Sequence, residues 1–377
     1  MRPTDTQGHD AAPSSDDLAA IRTTPGLTGA GKPFDEYVMR EVAAVKLRLE
    51  LVPADVLGLK RPLEIYRATR KGNIIKPWTM PPGSEDYCPA HWADLAIGRG
   101  ACGLRCRACF LILTHRAMCD PSRHTVYENT DDYEIAVRKW LQRPDRSTLG
   151  LGTDCSDSFL YEGVTGHARR LIPLFASDET NPRRCKLLLL TKSTNVHYLR
   201  GLATRNVVVS FSLNPEPIAD LWEGKFNDGT RVTPSTDERL AAAKTAADMG
   251  FEVRWRIDPI LDVPDWEDTY RQFIHAAAED GHKPTRITLG TYREMQPTLT
   301  LFAERWGLPP MEWKPPKLAR DGPHHHVGER ARIYSVLTDA IRQAWAGTGH
   351  QPITALCKEP RRVRQACGLD HEQCNCG

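Results

Sequence analysis

From about Ala93 onward, short apolar runs alternate with amphipathic stretches, and this change marks the chain's organisation. The apolar runs predict strands at 95–99, 148–153, 185–192, 206–212, 252–258 and 286–289. Helical spacing between them predicts helices at 131–142, 163–175, 195–202, 235–249 and 266–280. The helix at 235–249 is the best marked. Thr233 is placed to cap it, Pro234 suits its first turn, and Gly250 suits its exit. Leu240, Ala243 and Ala247 recur there at helical spacing. Six strands alternating with helices imply parallel pairing through right-handed crossovers. The unit is α/β, either a partial barrel or an open doubly wound sheet.

The flanks read differently. Residues 1–27 are polar, rich in Pro, Ser and Asp, and predict a disordered tail. Residues 28–92 form a lead-in, irregular or helical, with 34–51 helix-like and a break at 77–82. The α/β unit then spans 93–310. Residues 311–377 hold a helix at about 328–345 and a cysteine-rich tail. No apolar run approaches the roughly 20 residues of a membrane helix, so no membrane role is expected.

Composition adds two constraints. With 50 Lys plus Arg against 48 Asp plus Glu, the formal charge is +2, so contact with nucleic acid would require a local basic patch. The first residues lack the apolar core of a secretory signal, which leads to a cytoplasmic expectation. In a reducing compartment, eleven cysteines read as metal ligands, catalytic thiols or buried apolar residues.

The sharpest motif is Cys102-Gly-Leu-Arg-Cys106-Arg-Ala-Cys109, directly after the first predicted strand. Three thiolates on one loop suit three irons of a 4Fe-4S cluster and leave the fourth iron open for chemistry. Gly103 would let the backbone turn closely, and Arg105 and Arg107 bring positive charge to an anionic cluster. A zinc knuckle would want a second C-x2-C or a His pair nearby, and neither follows.

This spacing after the first strand of a βα series resembles the radical S-adenosylmethionine superfamily. The resemblance implies a partial (β/α)6 TIM-type barrel and reductive cleavage of S-adenosyl-L-methionine to a 5′-deoxyadenosyl radical. Further segments resemble the spore photoproduct lyase family in order: RRLIPLF at 169–175, TKSTNVH at 191–197, VSFSLN at 209–214, ERLAAA at 238–243 and RIDPI at 256–260. By position, Lys192 and Ser212 match residues that contact S-adenosylmethionine. Asp157 and Asp258 are further cofactor candidates, and Asp258 could instead pair with Arg254 or Arg256. Cys155 matches the cysteine that returns hydrogen to a repaired thymine. The alternative for Cys155 is a small buried thiol. The residues themselves agree in one respect. Cys102, Cys155, Lys192, Ser212 and Asp258 all fall at or just after a predicted strand's C-terminal end, where parallel α/β folds bind ligands.

One departure concerns the third cluster cysteine. The lyases flank it with tyrosines, whereas Ala108 and Phe110 stand here. The reading therefore places first a radical enzyme acting on a nucleoside or nucleotide in biosynthesis. DNA photoproduct repair is the alternative, and a non-catalytic metal-binding module a third. An electron donor such as flavodoxin or ferredoxin is the implied protein partner. In the tail, Cys357, Cys367, Cys374 and Cys376 form a candidate auxiliary site for a second iron–sulfur cluster or zinc. Cys88, Cys119 and Cys185 read as structural, His324-His-His326 as a solvated loop, and Arg183, Arg184, Arg361, Arg362 and Arg364 as solvated basic faces.

Overall fold

A computed structural model describes residues 48–77, 92–99, 102–104, 106, 107, 109, 124–144, 147–153, 155–226, 228–293, 326–369 and 374–377. The expected tail at 1–27, most of the helix at 34–51, Cys88, Cys119, Arg105, Asp154, His324 and His325 lie outside these residues.

The elements in chain order begin with β1 (Arg48–Val52), α1 (Ala54–Leu57), β2 (Leu63–Ala68) and β3 (Ile75–Pro77). Then follow β4 (Trp92–Leu95), β5 (Gly98–Arg99), β6 (His124–Tyr127), α2 (Thr130–Leu141) and β7 (Thr148–Leu151). Next come α3 (Glu162–Thr165), α4 (His167–Ala176), β8 (Lys186–Thr191), β9 (Val207–Ser212), α5 (Glu216–Glu223) and α6 (Thr236–Asp248). The last are β10 (Glu252–Ile260), α7 (Trp266–Glu279), β11 (Arg286–Thr291), α8 (Val327–Ala344), β12 (Ile353–Leu356) and α9 (Arg361–Ala366).

The large sheet runs β3-β4-β7-β8-β9-β10-β11-β12. Every neighbouring pair is parallel except β3 with β4. Sequential order with helical crossovers is the barrel arrangement, not the doubly wound one. Among the described residues no pairing closes β12 onto β3, so the barrel is partial.

The six predicted strands are present, and the structure corrects several details. The run at 95–99 divides, because β4 belongs to the barrel and β5 to a second sheet ordered β1-β2-β6-β5. A seventh parallel strand, β12, pairs with β11 inside the segment expected as a separate C-terminal unit. The lead-in supplies β1, β2 and β3, so the part of 34–51 that is described is strand and not helix. The helix at 163–175 breaks at Gly166, whose φ of 65° lies in the left-handed region. Helix α6 is capped by Ser235 and not Thr233. The Ser235 hydroxyl accepts the Glu238 N–H, and the Glu238 carboxylate accepts the Ser235 N–H. Its buried positions are Thr236, Arg239, Leu240, Ala242, Ala243 and Ala246, whereas Ala247 is exposed.

The strand sequences explain the layers. In β10 the apolar Val253, Trp255 and Ile257 alternate with the charged Glu252, Arg254, Arg256 and Asp258. The apolar set faces the helices, where Trp255 meets Phe273 and Trp345. The charged set faces the barrel interior, which is thus polar. Residues 374–377 fold into that interior. The Arg254 guanidinium donates to the carbonyls of Asn375 (2.7 Å) and Gly377 (2.8 Å). Arg286 donates to those of Cys374 (2.5 Å) and Gly377 (2.8 Å). The Ser210 hydroxyl donates to Asn375 Oδ1 at 2.8 Å. No helix among the described residues is long and apolar enough to cross a membrane.

Arg254→Met should undock this segment, since it removes a buried cation with its carbonyl partners. We expect about 3 kcal/mol lower unfolding free energy in denaturant titration. Alkylation of Cys374 and Cys376 in the native protein should be faster, and unchanged rates would show that Arg254 does not hold the segment.

Candidate active site

Parallel register brings the C-terminal ends of β7 to β12 to one rim. Arg256 pairs with Ser212 on one side and with Thr288 on the other, so these side chains stand level around the interior. Cys102, Cys106 and Cys109 follow β5 of the second sheet, and not directly the barrel strand β4.

The thiol loop is packed from the N-terminal side. Cys102, Leu104 and Cys106 belong to an apolar cluster with Val52, Leu57, Leu63 and Tyr161. Gly103 donates its N–H to the Tyr161 hydroxyl at 2.9 Å. A Cβ on Gly103 would sit 2.6 Å from that hydroxyl and collide with Leu63. The tightness that Gly103 serves is thus against protein walls. His124 stacks on Tyr161 with ring centroids 5.3 Å apart and meets the Ser156 hydroxyl at 3.2 Å. Sequence reading passed over both rings, because only the fold brings them beside the loop.

Burial pushes the Cys102 thiol up, with Cys109 adding to the shift. It pushes Cys106 up as well, with Glu223 adding, and Lys192 opposes both shifts. Buried thiolates that repel one another need a cationic partner, which a metal centre supplies. Among the described residues no three His, Cys, Asp or Glu side chains converge on a single-ion site. A cubane does not require that, since each thiolate takes a different iron. The donor set therefore fits a cluster with one open iron.

Across the rim, Lys192 Nζ lies 2.5 Å from Ser212 Oγ and 3.1 Å from Glu223 Oε1. Glu223 was not anticipated. It closes α5 and is buried, and Arg239 donates to both its oxygens at 2.9 and 2.8 Å. Burial raises its carboxyl pKa, but Arg239 and then Lys192 outweigh that, leaving it lowered to about 2. With Glu223 ionised, Arg239 neutralises it and Lys192 leaves the trio with net charge +1. This is the charge state that receives a carboxylate group.

Asp157 and Asp258 are differently used. Asp157 accepts from the N–H groups of Phe159 (3.0 Å), Leu160 (3.0 Å) and Lys192 (2.7 Å), and from the Thr191 hydroxyl (2.8 Å). These bonds fix the end of β8 and hold the backbone of Lys192. Asp258 is clamped by Arg256 (2.7 Å) and Arg293 (3.0 Å), and a Cβ on Gly290 would collide with it. Arg254 takes no part in this clamp and turns to Glu252 and the tail. Cys155 is half-buried, with Sγ 3.8 Å from the Leu95 carbonyl. Ser156 beside it faces His124. Asn195 does not cap with its side chain. Its amide reaches the carbonyls of Val56 and Phe159, both at 3.5 Å.

The four tail cysteines separate. Cys357 Sγ accepts from Arg256 at 3.1 Å, and Cys374 and Cys376 interact in the interior beside Arg256. Cys367 instead points its thiol at the Val363 carbonyl, 3.0 Å away on α9.

The family described as Spore photoproduct lyase matches residues 86–303, more than half of the 377-residue chain. The chain belongs to the spore photoproduct lyase family. It is therefore a radical S-adenosylmethionine enzyme of the lyase type. No curated protein matches the sequence. A cysteine-to-serine variant of spore photoproduct lyase is similar with a TM-score of 0.58 at 18% identity, covering 89% of this chain and 87% of that one. Spore photoproduct lyase complexed with dinucleoside spore photoproduct gives 0.59 at 18% identity, with the same coverage of 89% and 87%. A variant with bound AdoMet and dinucleoside spore photoproduct gives 0.57 at 18%, again covering 89% and 87%. These likenesses establish the fold, a partial barrel shared over nearly the whole of each chain.

Gly103→Ala tests the packing of the loop. The new methyl must displace Leu63 or Tyr161, at a cost of about 1–3 kcal/mol. We expect a lower melting temperature and less iron and sulfide bound per chain after anaerobic reconstitution. Full iron content would show that the loop has room to spare.

Proposed function

We propose that this enzyme repairs a thymine photoproduct in DNA, using a 4Fe-4S cluster on Cys102, Cys106 and Cys109 and S-adenosyl-L-methionine held by Lys192 and Ser212. The observation that carries the reading is the +1 trio of Lys192, Glu223 and Arg239 near the buried Cys102 and Cys106 and the half-buried Cys109, all within the family's matched stretch. When bound, the cluster supplies the electron that cleaves S-adenosylmethionine to methionine and a 5′-deoxyadenosyl radical.

The residues of the chain do the rest. Lys192 meets the carboxylate of the cofactor with a charge-assisted hydrogen bond, and Ser212 fixes the ammonium beside it. Asp157 holds the backbone of Lys192 in place. The apolar wall of Val52, Leu57 and Leu63 keeps water from the thiol loop. Cys155 is the proposed hydrogen donor. Its S–H bond breaks as a C–H bond forms on the substrate radical, which leaves a thiyl on Cys155. An electron donor such as flavodoxin or ferredoxin is the proposed protein partner.

The sequence placed a biosynthetic nucleotide first and DNA repair second. Family membership favours the second, and the dinucleoside photoproduct bound in similar structures supports a substrate of that class. The missing phenols at Ala108 and Phe110 concern how a radical returns after repair, and do not bear on which lesion is bound.

The test is anaerobic reconstitution, dithionite and S-adenosylmethionine, with dinucleoside spore photoproduct in one arm and free thymidine in the other. We expect 5′-deoxyadenosine and methionine in the first arm only, with two thymidines released per photoproduct. Cleavage absent with an intact cluster would sink the radical reading, and turnover of the free nucleoside alone would return the biosynthetic one. Cys155→Ala should still release 5′-deoxyadenosine while the yield of thymidine from the photoproduct falls and side products appear.

A further inference from the structure

The carboxylate of Glu223 joins two parts of the rim that are far apart in sequence. On one side it takes Arg239 and the Thr233 hydroxyl, and on the other it pairs with Lys192 at 3.1 Å. Its own carbonyl accepts the Arg107 N–H of the thiol loop at 2.9 Å. The Arg107 guanidinium reaches the Leu221 carbonyl at 3.5 Å on the same helix. Gly224, at φ 94°, seats that guanidinium so closely that a Cβ would lie 3.1 Å from Arg107 Nε. One helix end thus holds the ammonium that faces the ligand and the loop that carries the thiols.

We infer that Glu223 is a positioning residue that aims Lys192 at the cofactor and fixes its distance from the cluster loop. This deepens the functional reading above and rests on it. On this reading Glu223 acts through Lys192 and the thiol loop. Two facts argue against a merely structural ion pair. Arg239 already satisfies the charge of Glu223 through both oxygens, so the added pairing with Lys192 is not needed to bury the carboxylate. And Lys192 shares its ammonium with Ser212, so that three residues from three strand ends or helix ends agree on one orientation. Such agreement is how a binding group is made ready before its ligand arrives.

Charge and position predict opposite signs, which makes the inference testable. Glu223→Gln keeps the shape but leaves Lys192 and Arg239 both uncompensated. If charge alone mattered, the carboxylate of S-adenosylmethionine would be held more tightly at Lys192. If position matters, it binds more weakly. The probe is S-adenosylmethionine, titrated into anaerobically reconstituted full-length protein, with binding read from the change in the cluster's electron paramagnetic resonance signal. We expect about tenfold weaker binding in Glu223→Gln. The double variant with Lys192→Met should be no weaker than Lys192→Met alone, because both act through one contact. Thr233→Val keeps all charges, guards against a folding failure of the Gln variant, and should weaken binding by a smaller factor. Unchanged or tighter binding in Glu223→Gln, or additive effects in the double variant, would overturn the inference and leave the functional reading standing. Wild-type protein that binds no S-adenosylmethionine with its cluster intact would overturn both.

Discussion

The interior of this barrel is charged, and every cation in it must find a partner out of reach of bulk water. The alternation in β10 turns Arg254 and Arg256 inward, and parallel register places Arg286 and Ser212 level with them. The compensation then divides by height. Low in the barrel, Arg254 and Arg286 are met by carbonyls of residues 374–377, which is why that segment is inside at all. Higher up, Asp258 takes Arg256 and Arg293. Beside Ser212, Glu223 takes both Arg239 and Lys192. Like Asp258, it is one carboxylate shared by two cations.

Charge also explains why the thiol loop and Lys192 are neighbours. Buried thiols that are to become ligands gain from a cation nearby, and Lys192 opposes the rise that burial imposes on Cys102 and Cys106. The N-terminal sheet matters for the other half of that balance, since its Leu63 and the following loop wall the thiols from solvent. Lys60 and Arg61 reach across to Glu238 and Asp228, fastening this wall to the barrel beside α5 and α6.

Much of this was legible in sequence wherever one element decides the outcome. Strands such as KLLLLT and VVVSFS are continuous apolar runs because both faces are buried, and their positions followed from that alone. The thiol triplet lies within eight residues, and strand ends carry Lys192 and Ser212 to one rim by topology. What stayed illegible required pairs distant in the chain. Glu223 looks like any helix-end glutamate until Arg239 and Lys192 are beside it. Asp157 looks like a ligand until its hydrogen bonds are traced to the end of β8. The short β12 carries only four residues, too few for a periodic signal, and is a strand because β11 presents an edge to it. Thr233 read as a cap because it precedes a helix, yet its hydroxyl serves Glu223.

The tail cysteines show how the charged interior also decides against a simple reading. Four thiols within a short stretch suggested one metal site, but ligands must converge as well as cluster in sequence. Helix α9 turns Cys367 onto its own backbone, which removes the fourth donor. The remaining three surround Arg256, a guanidinium that no pH in the working range discharges. A cation placed among them would face that fixed positive charge, whereas a thiolate is stabilised by it. Cys374 accordingly has its pKa lowered to about 6, first by its hydrogen bond with Cys376 and further by Arg256 and Arg286. Cys374 is thus an anion for the arginines of the barrel, whereas burial pushes the Cys357 thiol up and the hydrogen bond with Cys374 raises that of Cys376.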